Sequence, residues 1–200
     1  TFWLSGYQGE KRHRKGPINS YFYNNTIYVS EDIVSKIAVD NGSKGILIAN
    51  NIFHVVGKSE QVAGDQFVSD DISKRNMVDV FFRNNLFLHT NAWPSDAIIS
   101  AEDSHFGDSG FANPGGLTPE DYIPTNLTLV QNGIEIPQLP SDHFGLIEGL
   151  KMKFDFLGNQ IVENPGIGAI YATPALAEKV KNQKINNNSS LKSDKQLINP

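Results

Sequence analysis

Three short apolar runs, each broken in the middle by two asparagines, recur in matching frames and constrain this chain more than any other feature. They are Tyr21-Phe22-Tyr23-Asn24-Asn25-Thr26-Ile27-Tyr28, Leu47-Ile48-Ala49-Asn50-Asn51-Ile52-Phe53-His54 and Phe81-Phe82-Arg83-Asn84-Asn85-Leu86-Phe87-Leu88. The asparagine pairs stand 26 and then 34 residues apart. Each flank is rich in β-branched and aromatic residues and too short for a helix, so it reads as a strand. Lys36-Ile37-Ala38-Val39 is a further strand-like piece, closed by Asp40-Asn41-Gly42-Ser43.

Recurrence at such a period marks a stacked repeat, because one unit cannot bury its inner face alone and stacking completes the core. Two or three short strands joined by sharp turns make one coil of a parallel β-helix. Asparagine tolerates the left-handed backbone such a turn demands. Its amide can also reach the equivalent turn of the next coil, which predicts a ladder of stacked asparagines. The unequal spacing predicts a loop swelling out of one turn, and residues 57–79 read as that insertion. Hairpins in an antiparallel sandwich are the competing reading, but Asn-Gly, the stronger hairpin signal, is absent from these pairs.

Composition agrees with a turn-rich soluble fold: 39% hydrophobic, 20% charged, 17 glycines and 10 prolines. The net charge of −5 offers no global attraction to nucleic acid. The chain contains no cysteine, which excludes disulfides and thiolate metal sites. No apolar run approaches the roughly 18 residues needed to span a bilayer. The opening Thr1-Phe2-Trp3 has neither an initiator Met nor a charged-then-apolar leader, and reads as the start of a piece whose N-terminal part lies upstream.

Further along stand Gly107-Asp108-Ser109-Gly110-Phe111-Ala112-Asn113-Pro114, Asp121-Tyr122, Asp155-Phe156-Leu157-Gly158-Asn159 and Ile167-Gly168-Ala169. This series resembles the C-terminal signature of bacterial right-handed parallel β-helix proteins of the pectate-lyase-like, carbohydrate-active type. In that family an Asp-Pro-x-Phe segment leaves the last coils, and an Asp-x-x-Gly-Asn hairpin leads to a closing Asp-Ile-Gly-Ala-Tyr-Glu. Here Ser109 replaces the Pro, Gly166 the closing Asp, and Ile170-Tyr171 the Tyr-Glu pair. The resemblance covers roughly residues 18–172 and implies an all-β, right-handed parallel β-helix. Coils would occupy about 1–100 and an irregular cap 101–172, covering the open end. Thr173-Pro174 reads as an N-cap and first helical position, opening a short helix to about Gln183. The Asn-, Ser- and Lys-rich tail that completes 173–200 reads as mobile.

The resemblance also implies a polysaccharide partner and a secreted or periplasmic location. The family contains lyases, hydrolases and other proteins, and a fold does not by itself assign an activity. The most distinctive charged feature is Lys11-Arg12-His13-Arg14-Lys15, a basic island in an acidic chain. Lyases of acidic polysaccharides remove the proton α to a sugar carboxylate and expel the glycosidic oxygen. That chemistry needs cations to stabilise the developing charge and a base of suitable pKa. Lys11, Arg12, His13, Arg14 and Lys15 are the catalytic candidates, with Tyr7 and Tyr21 nearby in sequence.

A glycoside hydrolase would instead need two carboxylates across the scissile bond, and Asp65, Asp70, Asp71 and Asp79 surround the long loop. Asp70 and Asp71 are candidate oxygen ligands for Ca2+, as are Glu102 and Asp103. His54 shares register with Tyr28 and is expected beside it on an exposed sugar-binding face, with Tyr7 a further stacking candidate. A third reading has no catalysis at all, only a glycan-binding or structural solenoid. Neutralising Arg12 and Arg14 together is expected to abolish any lyase turnover while circular dichroism stays unchanged; undiminished turnover would remove the island from the chemistry.

Overall fold

The structure, a computed structural model, describes residues 2–4, 16–39, 42–61, 77–95, 97, 99–145, 150–162 and 164–184. Eleven strands occur among them, most of them short. β1 (Phe2–Leu4), β4 (Ser35–Val39) and β7 (Ser59–Gln61) form one sheet. β2 (Ile18–Tyr23), β5 (Lys44–Ala49), β8 (Val78–Arg83) and β10 (Ala101–Glu102) form a second. β3 (Thr26–Val29), β6 (Ile52–Val55), β9 (Leu86–Phe87) and β11 (His105–Phe106) form a third. Every pairing between these strands is parallel, and the fold is all-β with few helices.

The three asparagine repeats lie over one another residue for residue. Tyr21, Leu47 and Phe81 are register partners, as are Phe22, Ile48 and Phe82. Across the turn, Thr26, Ile52 and Leu86 align, and so do Ile27, Phe53 and Phe87. Alternate positions point to opposite faces. Phe22, Ile48, Phe82, Ile27, Phe53 and Phe87 face one interior core, which they share with Val29, Ile37 and Val55. Rings stack along it: Phe53 and Phe87 lie 5.2 Å apart at 10°, and Trp93 meets Phe82 and Phe87 edge-on.

The first asparagine of each pair is left-handed, with φ of 53°, 53° and 51° at Asn24, Asn50 and Asn84. A fourth turn completes the column. Register sets Asp103 over Asn84, and its φ is 48°. The Glu102-Asp103 pair therefore forms a turn, with Glu102 ion-paired to Arg83 Nη2 at 2.7 Å and the Asp103 side chain exposed. Asp79 is likewise not a loop residue. It lies within β8 at φ 55°, aligned with Gly45 at φ 64° and Asn19 at φ 49°. A Cβ on Gly45 would come within 2.5 Å of the Asn19 side chain, so this column needs glycine at its centre.

The second asparagine of each pair forms the ladder. Asn25 donates its backbone N–H at 2.9 Å and its amide at 3.0 Å to Asn51 Oδ1, and Asn51 donates in the same way to Asn85. The amides of Asn51 and Asn85 also donate to the carbonyls of Phe22 and Ile48, each at 3.0 Å. Asn51 and Asn85 are wholly buried, and these bonds are what makes burying a carboxamide tolerable.

The first asparagines serve a different purpose. Their amides donate outward, Asn84 to Asn132 O at 2.9 Å, Asn50 to Ile134 O at 2.7 Å and Asn24 to Gly166 O at 2.6 Å. The C-terminal segment thus runs along the turns of successive passes rather than sitting over one end. The physical reason is that the outer faces of the second and third sheets are also apolar. Leu139 and Ile136 cover Leu47, Ala49, Tyr21 and Phe81. Phe111, Val130, Ile167 and Ala172 cover Ile52 and Leu86. Strand pairing also continues to Phe106, past the expected end of the coils.

Two helices belong to this segment, α1 (Leu127–Val130) and α2 (174–184). Leu176 N–H donates to Thr173 Oγ1 at 3.2 Å, the N-cap bond expected there, and Ala177 and Val180 are buried, Val180 packing beside Ile123 and Ile170. The turn Asp155–Asn159 is a hairpin, bridged antiparallel between Phe154 and Gln160. Ser109, which stands where the resembled family carries Pro, is buried, and its hydroxyl has no hydrogen-bond partner among the described residues. The expected insertion at 57–79 includes β7 and the start of β8; its part from 62 to 76 lies outside the described residues.

Asn51→Ala is expected to cost on the order of 3 kcal/mol in urea unfolding, because it strands the Asn25 N–H and the Phe22 carbonyl in the interior. Asn25→Ala, at the end of the ladder, should cost about half as much.

Candidate functional site

Of the residues singled out in the sequence, Tyr28 and His54 are described; Tyr7, Lys11, Arg12, His13, Arg14, Lys15, Asp65, Asp70 and Asp71 lie outside the described residues. The described residues contain no cluster of three or more His, Cys, Asp or Glu able to hold a metal ion. No helix among them is long and apolar enough to cross a membrane.

Tyr28 and His54 are register partners and their rings stack, with centroids 5.8 Å apart at 28°. They do not share an exposed face. His54 is only 5% exposed, because Phe111 from the C-terminal segment covers it at 5.1 Å. Burial pushes the His54 pKa below the ordinary imidazole value, opposed by the Asp108 carboxylate and reinforced by His89. His89 and His105 have structural partners, their Nε2 atoms lying 3.0 Å from Val56 O and 3.1 Å from Asn84 Oδ1.

Tyr21 is equally committed. Its hydroxyl donates to Asp142 at 2.8 Å and accepts the Leu139 N–H at 2.8 Å. Burial raises its pKa and the Asp142 charge acts in the same direction, the opposite of what a base requires. Tyr21 is therefore a clasp for the C-terminal segment.

Tyr28 has an open side as well as a buried one. It forms one wall of a groove of about 380 Å³, whose other walls come from Gly116 to Tyr122, from Phe156 and from Ala169-Ile170. Phe156 is 70% exposed and Leu117 fully so. The ring of Tyr122 stands 6.0 Å from that of Tyr28 at 59°.

Local bonds set these walls before any ligand arrives. Asp121 accepts the Thr118 N–H and hydroxyl, each at 2.9 Å, and the Asn113 amide at 3.2 Å; these bonds hold its carboxyl below the usual carboxylate range. Tyr122 Oη donates to Gly116 O at 3.0 Å. Phe156 rides on the Asp155 hairpin, where the buried Asp155 carboxylate accepts four bonds, from Leu157, Asn159 twice and Tyr171.

The arrangement leaves aromatic ring faces open along the groove. Aromatic rings offer their faces to the C–H side of a sugar, while Asp121, the carboxylate of the turn forming one wall, is occupied by its own turn. Phe156 and Tyr122 could not be chosen from the sequence, where most of the twelve Phe residues read as core. The one available signal was the Asp-x-x-Gly-Asn hairpin, whose second residue must project outward when Asp155 turns in.

Protonating His54 beneath Phe111 would put a charge in an apolar contact. Its folded pKa lies below the unfolded value of 6.5, so the stability it permits is complete above pH 6.5 and falls as pH drops below that value. Urea midpoints at pH 7.5 and 5.5 are expected to differ less in His54→Phe than in wild type. Neither the protein-family models nor the curated proteins nor the solved structures contain a match to this chain.

Proposed function

We propose that this chain is a carbohydrate-active, right-handed parallel β-helix protein, secreted or periplasmic, that holds a polysaccharide in the groove beside Tyr28. Each pass adds one strand to the second sheet and one to the third, and β4 and β7 add to the first, in unvarying order. A parallel strand reached through such crossovers is right-handed in nearly all known cases. The observation that carries the binding role is the ring-lined groove, with Tyr28, Tyr122 and Phe156 around an open apolar floor.

A second reading adds β-elimination on an acidic polysaccharide, and the basic island Lys11–Lys15 favours it. Substrate held at the groove would need its uronate carboxylate to meet that island. The hydrolase reading rests on Asp65, Asp70 and Asp71, which lie outside the described residues, and on Asp79, whose exposed side chain stands within β8.

The test is incubation with uronic-acid-containing and sulfated polysaccharides, with and without Ca2+, followed by ultraviolet absorbance for unsaturated ends and a reducing-end assay. Both signals rising together support the lyase, and reducing ends alone support a hydrolase. Retardation in polysaccharide-containing gels without product supports binding alone. In such gels Tyr28→Ala and Phe156→Ala are each expected to weaken retention about fivefold to tenfold, the worth of one stacked ring. No product and no retardation across the panel would end the carbohydrate reading.

A further inference from the structure

A second cavity, larger than the groove at Tyr28, opens in the C-terminal segment. It is a cleft of about 860 Å³, lined on one side by Gln131, Glu135, Ile136 and Gln138 and on the other by 150–152, 161, 162, 164, 165 and Tyr171. Nothing in the sequence singles it out, because its walls come from several separate stretches of chain.

Both walls are anchored to the repeat. Asn50 grips the first wall in both directions, donating to Ile134 O at 2.7 Å and accepting Ile134 N–H at 3.1 Å. Asn24, which lines the floor, holds the second wall at Gly166. The cleft is therefore pre-formed, and its volume falls within the range of small-ligand sites.

Gln131, Gln138 and Asn24 spend their amides on Ala172, Asp142 and Gly166, but four other polar side chains of the cleft have no partner among the described residues. Glu135, Lys151, Asn164 and Tyr171 all line it, yet none of their side chains makes a hydrogen bond or ion pair with a described residue. Glu135 and Lys151 carry opposite charges along one cleft without bridging each other. Between them lie apolar surfaces, among them Met152 and Val162, the latter 72% exposed. A carboxylate able to accept from two adjacent ligand hydroxyls, an ammonium and an amide able to donate, and apolar patches between them are chemistry that a pyranose satisfies, with hydroxyls around its edge and C–H groups on its face.

We infer that this cleft is a second saccharide subsite, taking a short oligosaccharide segment whose vicinal hydroxyls bind Glu135 and whose ring faces rest on Met152 and Val162. The inference rests on the carbohydrate-active reading above and extends it. One polysaccharide chain would be held both at the Tyr28 groove and at a separate point on the C-terminal segment. Two weak sites on one strand raise avidity without any tighter single contact.

Calorimetric titration of the whole chain with cellotetraose, xylotetraose and tetragalacturonate tests it. Three variants probe the cleft: Glu135→Ala, Tyr171→Phe, and Val162→Trp, which fills it with an indole. A fourth, Tyr28→Ala, probes the groove. All four are first checked for unchanged circular dichroism. At least one probe is expected to bind wild type, with affinity falling tenfold or more in Glu135→Ala and in Val162→Trp.

Wild-type affinity in all three cleft variants, with binding lost in Tyr28→Ala, would overturn the second subsite and leave the groove standing. Binding lost in the cleft variants but kept in Tyr28→Ala would uphold the cleft and overturn the groove. If wild type binds none of the probes, both assignments fall.

Discussion

Everything in this fold depends on a turn that carries the chain from one sheet to the next within two residues and then satisfies its own polar groups. The first residue of the turn takes the left-handed conformation, at Asn24, Asn50, Asn84 and Asp103. Such a backbone is costly for most L-residues and cheap for Asn and Asp. The second residue, as Asn25, Asn51 and Asn85, closes the bonding with a carboxamide that reaches the next pass. Because the turn recurs in register, the strands on either side are forced into register too. An aligned interior of Phe22, Ile48, Phe82, Ile27, Phe53 and Phe87 follows from that alone.

The same asparagine columns also organise the irregular half of the molecule. Backbone that is neither helix nor sheet must still pair its N–H and C=O groups. The segment after Phe106 does so by leaning on the amides of Asn24, Asn50 and Asn84, the hydroxyl of Tyr21 and the carboxylate of Asp155. In return it covers apolar side chains on the outer faces of two sheets. β6 is consequently buried at all four positions and β5 at five of six, which is why these strands read as unbroken apolar runs instead of alternating ones. The first sheet differs: Lys36 and Lys58 pair with Glu60 there, and that carboxyl sits at about pKa 2.

How legible the molecule was in its residues varies by region. The strands, their common frame and the amide ladder could be read directly, since they repeat. Thr173-Pro174 announced a helix start through a cap that acts within one turn. Reading failed where a residue's meaning depends on distant chain. His54 matched Tyr28 in register, yet Phe111, far along the sequence, buries it. Asp79 was read at the edge of a loop, yet it stands within β8 in a left-handed column that only the strand register reveals.

The sequence by itself therefore determined the repeating part: parallel strands, their register and the turn chemistry between them. Each of those follows from interactions whose partners recur at a readable spacing. Only the tertiary structure decided where the surface is open. The groove at Tyr28 and the cleft at Glu135 are spaces between segments that fold back over the repeat from far downstream. A concave site belongs to no single stretch of chain, so no local pattern of residues encodes it.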